Sequence, residues 1–262
     1  MMSGTVRAER SGLGPVGLSI YNFFYWPYLL CSCVLLFVPA LAIFCLTLWD
    51  PKRRLLHRFT SYWGAHYLAW APFARVRVEG REKRIGAGPC VYVVNHQSMV
   101  DILAVYAIHL PFLWVSKLEN FYVPFLGWNM WLNGYVALRR GFLPSILRMV
   151  RTCLRKLGAG HSLCVFPEGT RSRDGSIQAF HRGAFWLAAR ARVPVVPIVI
   201  DGTGNIIGKG RLRIVPGPVL VRILDPIEPQ TVDYDSHALR DLVHATMSDE
   251  LARMRLHSHS HS

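Results

Sequence analysis

The first long pattern in the chain is a stretch without charge. No formally charged residue lies between Arg10 and Asp50, and from Tyr21 to Trp49 the sequence YNFFYWPYLLCSCVLLFVPALAIFCLTLW is almost wholly apolar. About 20 such residues cross the hydrocarbon core as a helix, so this segment is expected in lipid. It is too long for a signal-peptide core, and Lys52, Arg53, Arg54 and Arg58 follow where a cleavage site would be needed. Pro27 and Pro39 leave two geometries open: one kinked span, or a re-entrant hairpin in a single leaflet. Aromatic residues flank both ends, and the basic cluster after Trp49 outweighs Arg7 and Arg10. The positive-inside rule therefore puts the remainder on the cytoplasmic side of the inner (cytoplasmic) membrane. Leu55 to Phe73 mixes aromatics with His and Arg, and reads equally as a helix in the membrane plane or as a core helix.

After Pro72 the texture changes to short β-branched runs separated by turn residues and helical patterns. Strands are expected at Arg75–Val78, Cys90–Val94, Phe112–Val115, Tyr135–Leu138, Leu163–Phe166, Val195–Ile200, Leu212–Val215 and Val219–Ile223. Helices are expected at Met99–His109, Asn120–Leu132, Pro144–Leu157, Arg182–Arg192 and His237–Arg255. This alternation predicts an α/β domain with a mostly parallel central sheet flanked by helices, closed by an antiparallel strand pair. The expected divisions are a polar lead at 1–20, membrane-embedded and interfacial helices at 21–73, the main domain at 74–255 and a His/Ser tail at 256–262.

Composition narrows the class. Among 262 residues, 30 Lys+Arg face 16 Asp+Glu, a net charge of +14, with 52% hydrophobic residues and a mean hydropathy of +0.24. So many apolar and aromatic residues exclude intrinsic disorder. A chain both greasy and basic points to a membrane surface rather than to nucleic acid, for which no helix-turn-helix or zinc pattern is present. Cys31, Cys33, Cys45, Cys90, Cys153 and Cys164 form no CxxC pair and read as reduced core or lipid-facing residues, with no metal site.

Chemistry is expected where strands end. The run CVYVV leads straight into Asn95-His96-Gln97-Ser98-Met99-Val100-Asp101. On one continuous helix His96 and Asp101 would point apart, but they meet if His96 lies in the loop and Asp101 in the first helical turn, with Ser98 as cap. A carboxylate on one ring nitrogen leaves the other as a general base. No GxSxG nucleophile elbow accompanies the pair, so the activated hydroxyl must arrive with a substrate. A second constellation, Phe166-Pro167-Glu168-Gly169-Thr170-Arg171-Ser172, offers a glycine for close approach, an arginine fork for phosphate and a carboxylate acceptor. Strand Tyr135–Leu138 delivers Arg139 and Arg140, of which alternation lets at most one face the site, and Lys117 follows another strand. Gly202-Thr203-Gly204-Asn205-Ile206-Ile207-Gly208-Lys209 has the spacing of neither GxGxxG nor a P-loop and reads as a surface turn.

NHQSMVD, GYVALRR, FPEGTRS and VPIVI, in this order, resemble the four sequence blocks of the glycerolipid acyltransferases, which include the 1-acylglycerol-3-phosphate acyltransferases. The likeness covers about residues 75–225, and the apolar N-terminal segment is also typical of bacterial members. The resemblance implies His96 as base and Asp101 as its orienting partner. It implies that Gly134, Arg140, Glu168, Gly169 and Arg171 hold a phosphorylated glycerol acceptor, with Pro197 in the fourth block; Thr170 is expected beside them, and Asn95 and Lys117 are expected as auxiliary residues. Bacterial members often carry an acid where this chain has Arg139, which we read as a surface charge. The implied reaction moves an acyl group from acyl-CoA or acyl carrier protein to a lysophospholipid at a phospholipid membrane, with no cofactor and no acyl-enzyme. The first expected acceptor is 1-acylglycerol-3-phosphate and the second another lysolipid such as a lyso-ornithine lipid; the non-enzyme alternative is a basic membrane-associated binding protein.

Overall fold

A computed structural model describes residues 14–69, 76–84, 88–207 and 213–259. Helix α1 runs unbroken from Pro15 to Leu46 with both prolines inside it, and α2, Arg54–Ala69, folds back beside it. The chain thus reverses at the turn after Leu46, not at Pro27 or Pro39. By length and apolar composition α1 can cross a membrane. Yet a stripe of about every seventh residue, Leu18, Tyr25, Ser32 and Ala40, is buried against the protein, while Phe23, Phe24, Leu30, Leu35 and Val38 face outward. Polar contacts set this docking: Tyr25 Oη donates to the Tyr67 carbonyl at 3.3 Å, and Ser32 Oγ meets Tyr67 Oη at 2.9 Å. Asn22 clasps Ile214, donating to its carbonyl at 2.9 Å and receiving its N–H at 2.7 Å.

The sheet contains β1 (Val76–Glu79), β2 (Val91–Val94), β3 (Leu113–Lys117), β4 (Val136–Leu138), β5 (Leu163–Val165), β6 (Val195–Asp201) and β7 (Val219–Ile223). Their order is β1-β7-β6-β2-β5-β3-β4. Pairings are parallel except β6 with β7. Fully buried runs such as Val91–Val94 suit a parallel sheet covered on both faces. Right-handed crossovers put α3 (Val100–Tyr106) and α4 (Leu126–Leu132) on one face, and α5 (Leu143–Gly158) and α6 (Gly183–Ala191) on the other. The closing helix α8, Ser236–His259, packs on β6 and α6.

Three expectations change. Leu212 lies outside the described residues and 213–215 is not a strand; the antiparallel pairing joins β6 to β7, and β1 lies outside β7. The helix expected at Asn120–Leu132 is split into a 3-10 turn, Leu118–Tyr122, and α4, because Pro124 and Phe125, at φ 61°, break the path. The helix expected from Met99 to His109 is shortened to α3, since His109 takes a left-handed φ of 56°. The connection from β2 passes β5 to reach β3 while that from β5 passes β2 to reach β6, so the two adjacent parallel strands send their chains to opposite faces of the sheet. A crevice opens outside the carboxyl ends of strands at such a point.

Candidate active site

The segments leaving β2 and β5 meet at that point. His96 Nδ1 lies 2.8 Å from Asp101 Oδ2, the same oxygen that accepts the N–H groups of Gln97 at 2.6 Å and Ser98 at 2.8 Å. Its other oxygen, Oδ1, accepts the Thr203 hydroxyl. Asp101 is fully buried, and both its oxygens are engaged, by the Gln97 and Ser98 amides, the Thr203 hydroxyl and the His96 ring. With Nδ1 turned to this carboxyl, Nε2 is the ring nitrogen left to face outward, and it makes no hydrogen bond among the described residues. The Ser98 hydroxyl receives the Val100 N–H at 3.2 Å across the turn into α3 and donates to the Ile207 carbonyl at 2.7 Å; the cap position itself is Met99, not the expected Ser98, and has no side-chain cap bond. The imidazole stacks on Phe166 with centroids 4.1 Å apart, and Phe166 stacks on Trp114. With a side chain 16% exposed, His96 is held on one face and open at one edge.

The β5 loop holds the backbone of His96 from both sides. Glu168 Oε1 accepts the His96 N–H at 2.7 Å, and the Ser172 N–H donates to the His96 carbonyl at 2.7 Å. Glu168 Oε2 accepts the Gln178 N–H at 3.0 Å. Glu168, expected to bind the acceptor, is 4% exposed, and its two oxygens brace the loops after β2 and β5 through backbone amides. Burial pushes its carboxyl up to about 7 against the pull of the Gln178 and His96 amides, and the charges of Asp101 and Asp174 push the same way.

The cationic wall lies one strand further. Arg140, just after β4, donates from Nη1 to the Gly169 carbonyl at 2.6 Å, whereas Arg139 turns away over the Phe142 ring. Gly169 has φ +69°, and a Cβ there would lie 3.1 Å from His181 Nε2 and 3.2 Å from Arg140 Nη2, so any other residue is strained in its backbone and presses on both side chains. Thr170 is exposed and Arg171 half-buried on the same turn. Lys117 is exposed at the carboxyl end of β3.

Other expected site residues fall elsewhere. Gly134 precedes β4 and therefore sits at the amino rim, where a Cβ would lie 3.1 Å from Arg53 Nη1 and 3.6 Å from Lys156 Nζ. Its φ of +71° serves the turn from α4 into β4. Pro197 is buried in β6 opposite Val93, with its carbonyl accepting the Leu224 N–H at 2.9 Å, a structural position. Asn95 extends the β2–β6 ladder by exchanging two bonds with the Ile200 backbone, at 2.9 and 2.8 Å. Sequence reading missed Ser172, Thr203, His181 and the stacking role of Phe166. Only Phe166 and Ser172 lay in a segment already singled out for chemistry.

The order β2 loop, β4 end and β5 loop can bind, orient and deprotonate an acceptor hydroxyl, with guanidinium groups nearby for a phosphate. A family model described as Acyltransferase matches residues 75–201. The 1-acyl-sn-glycerol-3-phosphate acyltransferase of Chlamydomonas reinhardtii is 37% identical over 234 residues, which cover 87% of this chain and 69% of that protein. A chloroplastic 1-acyl-sn-glycerol-3-phosphate acyltransferase of Arabidopsis thaliana is 37% identical over 203 residues, or 76% of this chain and 56% of its own length. The crystal structure of the 1-acyl-sn-glycerophosphate acyltransferase PlsC from Thermotoga maritima superposes with a TM-score of 0.76 at 26% identity, covering 95% of this chain and 98% of that one. Sequence likeness and shared fold agree: the chain belongs to the 1-acyl-sn-glycerol-3-phosphate acyltransferase family.

Proposed function

We propose that the protein transfers an acyl group from a thioester donor, acyl-CoA or acyl carrier protein, to the free hydroxyl of 1-acylglycerol-3-phosphate, giving phosphatidic acid. The observation that carries this reading is the Nδ1–Asp101 bond, which leaves Nε2 of His96 as an open base at the strand ends. His96 Nε2 takes the hydroxyl proton as the oxygen attacks the thioester carbonyl. The C–S bond breaks, and the thiolate leaves with the proton returned by the imidazolium. No acyl-enzyme is needed, because an oriented hydroxyl beside a base attacks directly. Asp101 supports the transient imidazolium, and Arg140 and Arg171 receive the phosphate monoester.

The outward apolar face of α1 supports membrane attachment, with Leu46, Leu48 and Trp49 preceding Lys52, Arg53 and Arg54 as an interfacial sequence. Purified membranes offered lysophosphatidic acid, lyso-ornithine lipid and lysophosphatidylcholine separately should acylate the first. Arg140→Ala and Arg171→Ala should each raise the KM for it by roughly 10-fold or more, the scale of a lost charge-assisted contact. Equal turnover of all three acceptors, unmoved by either substitution, contradicts the acceptor assignment.

A further inference from the structure

The turn after β6 reads in sequence as an ordinary surface loop, and the structure gives it a different position. Gly202 has φ +93°, and a Cβ there would come within 2.2 Å of the Pro218 carbonyl, so the chain approaches the neighbouring backbone as only glycine can. The approach carries Thr203 inward at the start of a one-turn helix, α7 (Thr203–Ile206), where it is fully buried. Its hydroxyl donates to Asp101 Oδ1. One further hydrogen bond ties the same turn to the dyad loop, and Gln97 lies close beside it. Ser98 Oγ donates to the Ile207 carbonyl at 2.7 Å, and a Cβ on Gly204 would lie 3.4 Å from Gln97 Oε1.

Asp101 Oδ2 is fixed by His96 Nδ1 and two backbone amides, but Oδ1 has one donor among the described residues, Thr203. We propose that Thr203 is a positioning residue of the acyl-transfer reaction: its hydroxyl fixes the plane of the Asp101 carboxylate and thereby the direction in which His96 presents Nε2. This inference rests on the reading of His96 as the base. A buried acceptor stripped of its donor seeks another, so without the hydroxyl the carboxylate plane rotates and the imidazole follows it. The hydroxyl also draws charge from the carboxylate. Its removal leaves more negative charge on Asp101 beside the imidazole.

The test compares Thr203→Val, which keeps the shape and loses the hydroxyl, with Thr203→Ser, which keeps the hydroxyl, both in membranes with lysophosphatidic acid. Thr203→Val is expected to lower kcat roughly 10- to 100-fold, the range of one bond to a charged group. Its KM should stay within roughly 2-fold, because binding is unaltered, and the acid limb of its pH–rate profile should move to higher pH. Thr203→Ser should restore both. Wild-type kcat and pH profile in Thr203→Val overturn the proposal, as does a Thr203→Ser enzyme equally impaired. Should Thr203→Val fail to fold, Thr203→Ala carries the comparison, with the His96 imidazole titration followed by NMR in detergent; an unshifted titration there overturns the proposal. His96→Ala measured alongside separates the two readings, since an active His96→Ala refutes the base itself whatever the Thr203 variants do.

Discussion

The two rims of the sheet each carry a histidine, a glycine with positive φ and basic side chains, yet they engage their histidines differently. At the carboxyl rim His96 has one nitrogen bound to Asp101 and the other open. At the amino rim His57 is buried with both nitrogens engaged, Nε2 with the Leu110 carbonyl at 3.1 Å and Nδ1 with Tyr135 Oη at 3.1 Å. Only the protonated nitrogen can serve the carbonyl, so Nδ1 accepts from the tyrosine and no lone pair is left over. Burial drives this imidazole down to about 4, against the smaller pull of the Leu110 carbonyl, and keeps it neutral. The glycines differ likewise. Gly169 lies beneath Arg140 and His181 at the site, while Gly134 lies beneath Arg53, whose guanidinium caps the Trp131 and Leu132 carbonyls at the end of α4. Function follows from which polar atom is left without a partner, not from which residue types are present.

The largest effect that can break this contrast is on stability. His57→Ala leaves the Leu110 carbonyl and the Tyr135 hydroxyl buried without their partner and opens a cavity beside Phe112, which costs about 3 kcal/mol or more. Thermal unfolding in detergent should show a midpoint several degrees lower, with kcat per folded molecule unchanged below it; a kcat loss without a change in midpoint would put chemistry at the wrong rim. A smaller effect separates the glycines. Gly169→Ala and Gly134→Ala both strain a positive φ, at about 1 kcal/mol or more each, but only Gly169→Ala should raise the KM for lysophosphatidic acid, by moving Arg140. Equal kinetic effects would dissolve the distinction.

The smallest effect is in pH dependence, and its sign differs between the rims. Between about 4.5 and about 7 native Glu168 retains a proton that the unfolded chain has lost, so its contribution to stability falls as pH rises. Between about 4 and 6.5 unfolded His57 holds a proton that the native ring lacks, so its contribution is lost as pH falls. The slopes oppose one another in the wild type. Glu168→Gln should leave stability rising with pH across this window and His57→Gln should leave it falling; unfolding midpoints measured from pH 4 to 7 give the answer, and identical profiles would contradict the assignments.

The strands flanking the site were legible because buried parallel strands are continuous apolar runs, as in Val91–Val94 and Val195–Ile200. The meeting of His96 with Asp101 was legible because both lie within one short loop and turn. Partners from distant segments were not. Glu168 is bound by backbone amides, which have no residue identity, and Thr203 reaches Asp101 only because Gly202 passes against Pro218. Gly134 and Arg140 share one motif but flank β4, so they stand at opposite rims of the sheet. A residue that precedes a parallel strand belongs to the rim opposite the one that follows it, and that rule could have been applied to the sequence alone.

The account depends on the open nitrogen of His96, and acyl transfer by His96→Ala to lysophosphatidic acid in purified membranes tests it most directly. Removal of a general base with its orienting carboxylate left in place should lower kcat by about 10³-fold or more, while the unfolding midpoint and lipid binding stay near wild type. Turnover within a few fold of wild type in a folded, membrane-bound His96→Ala protein would contradict it.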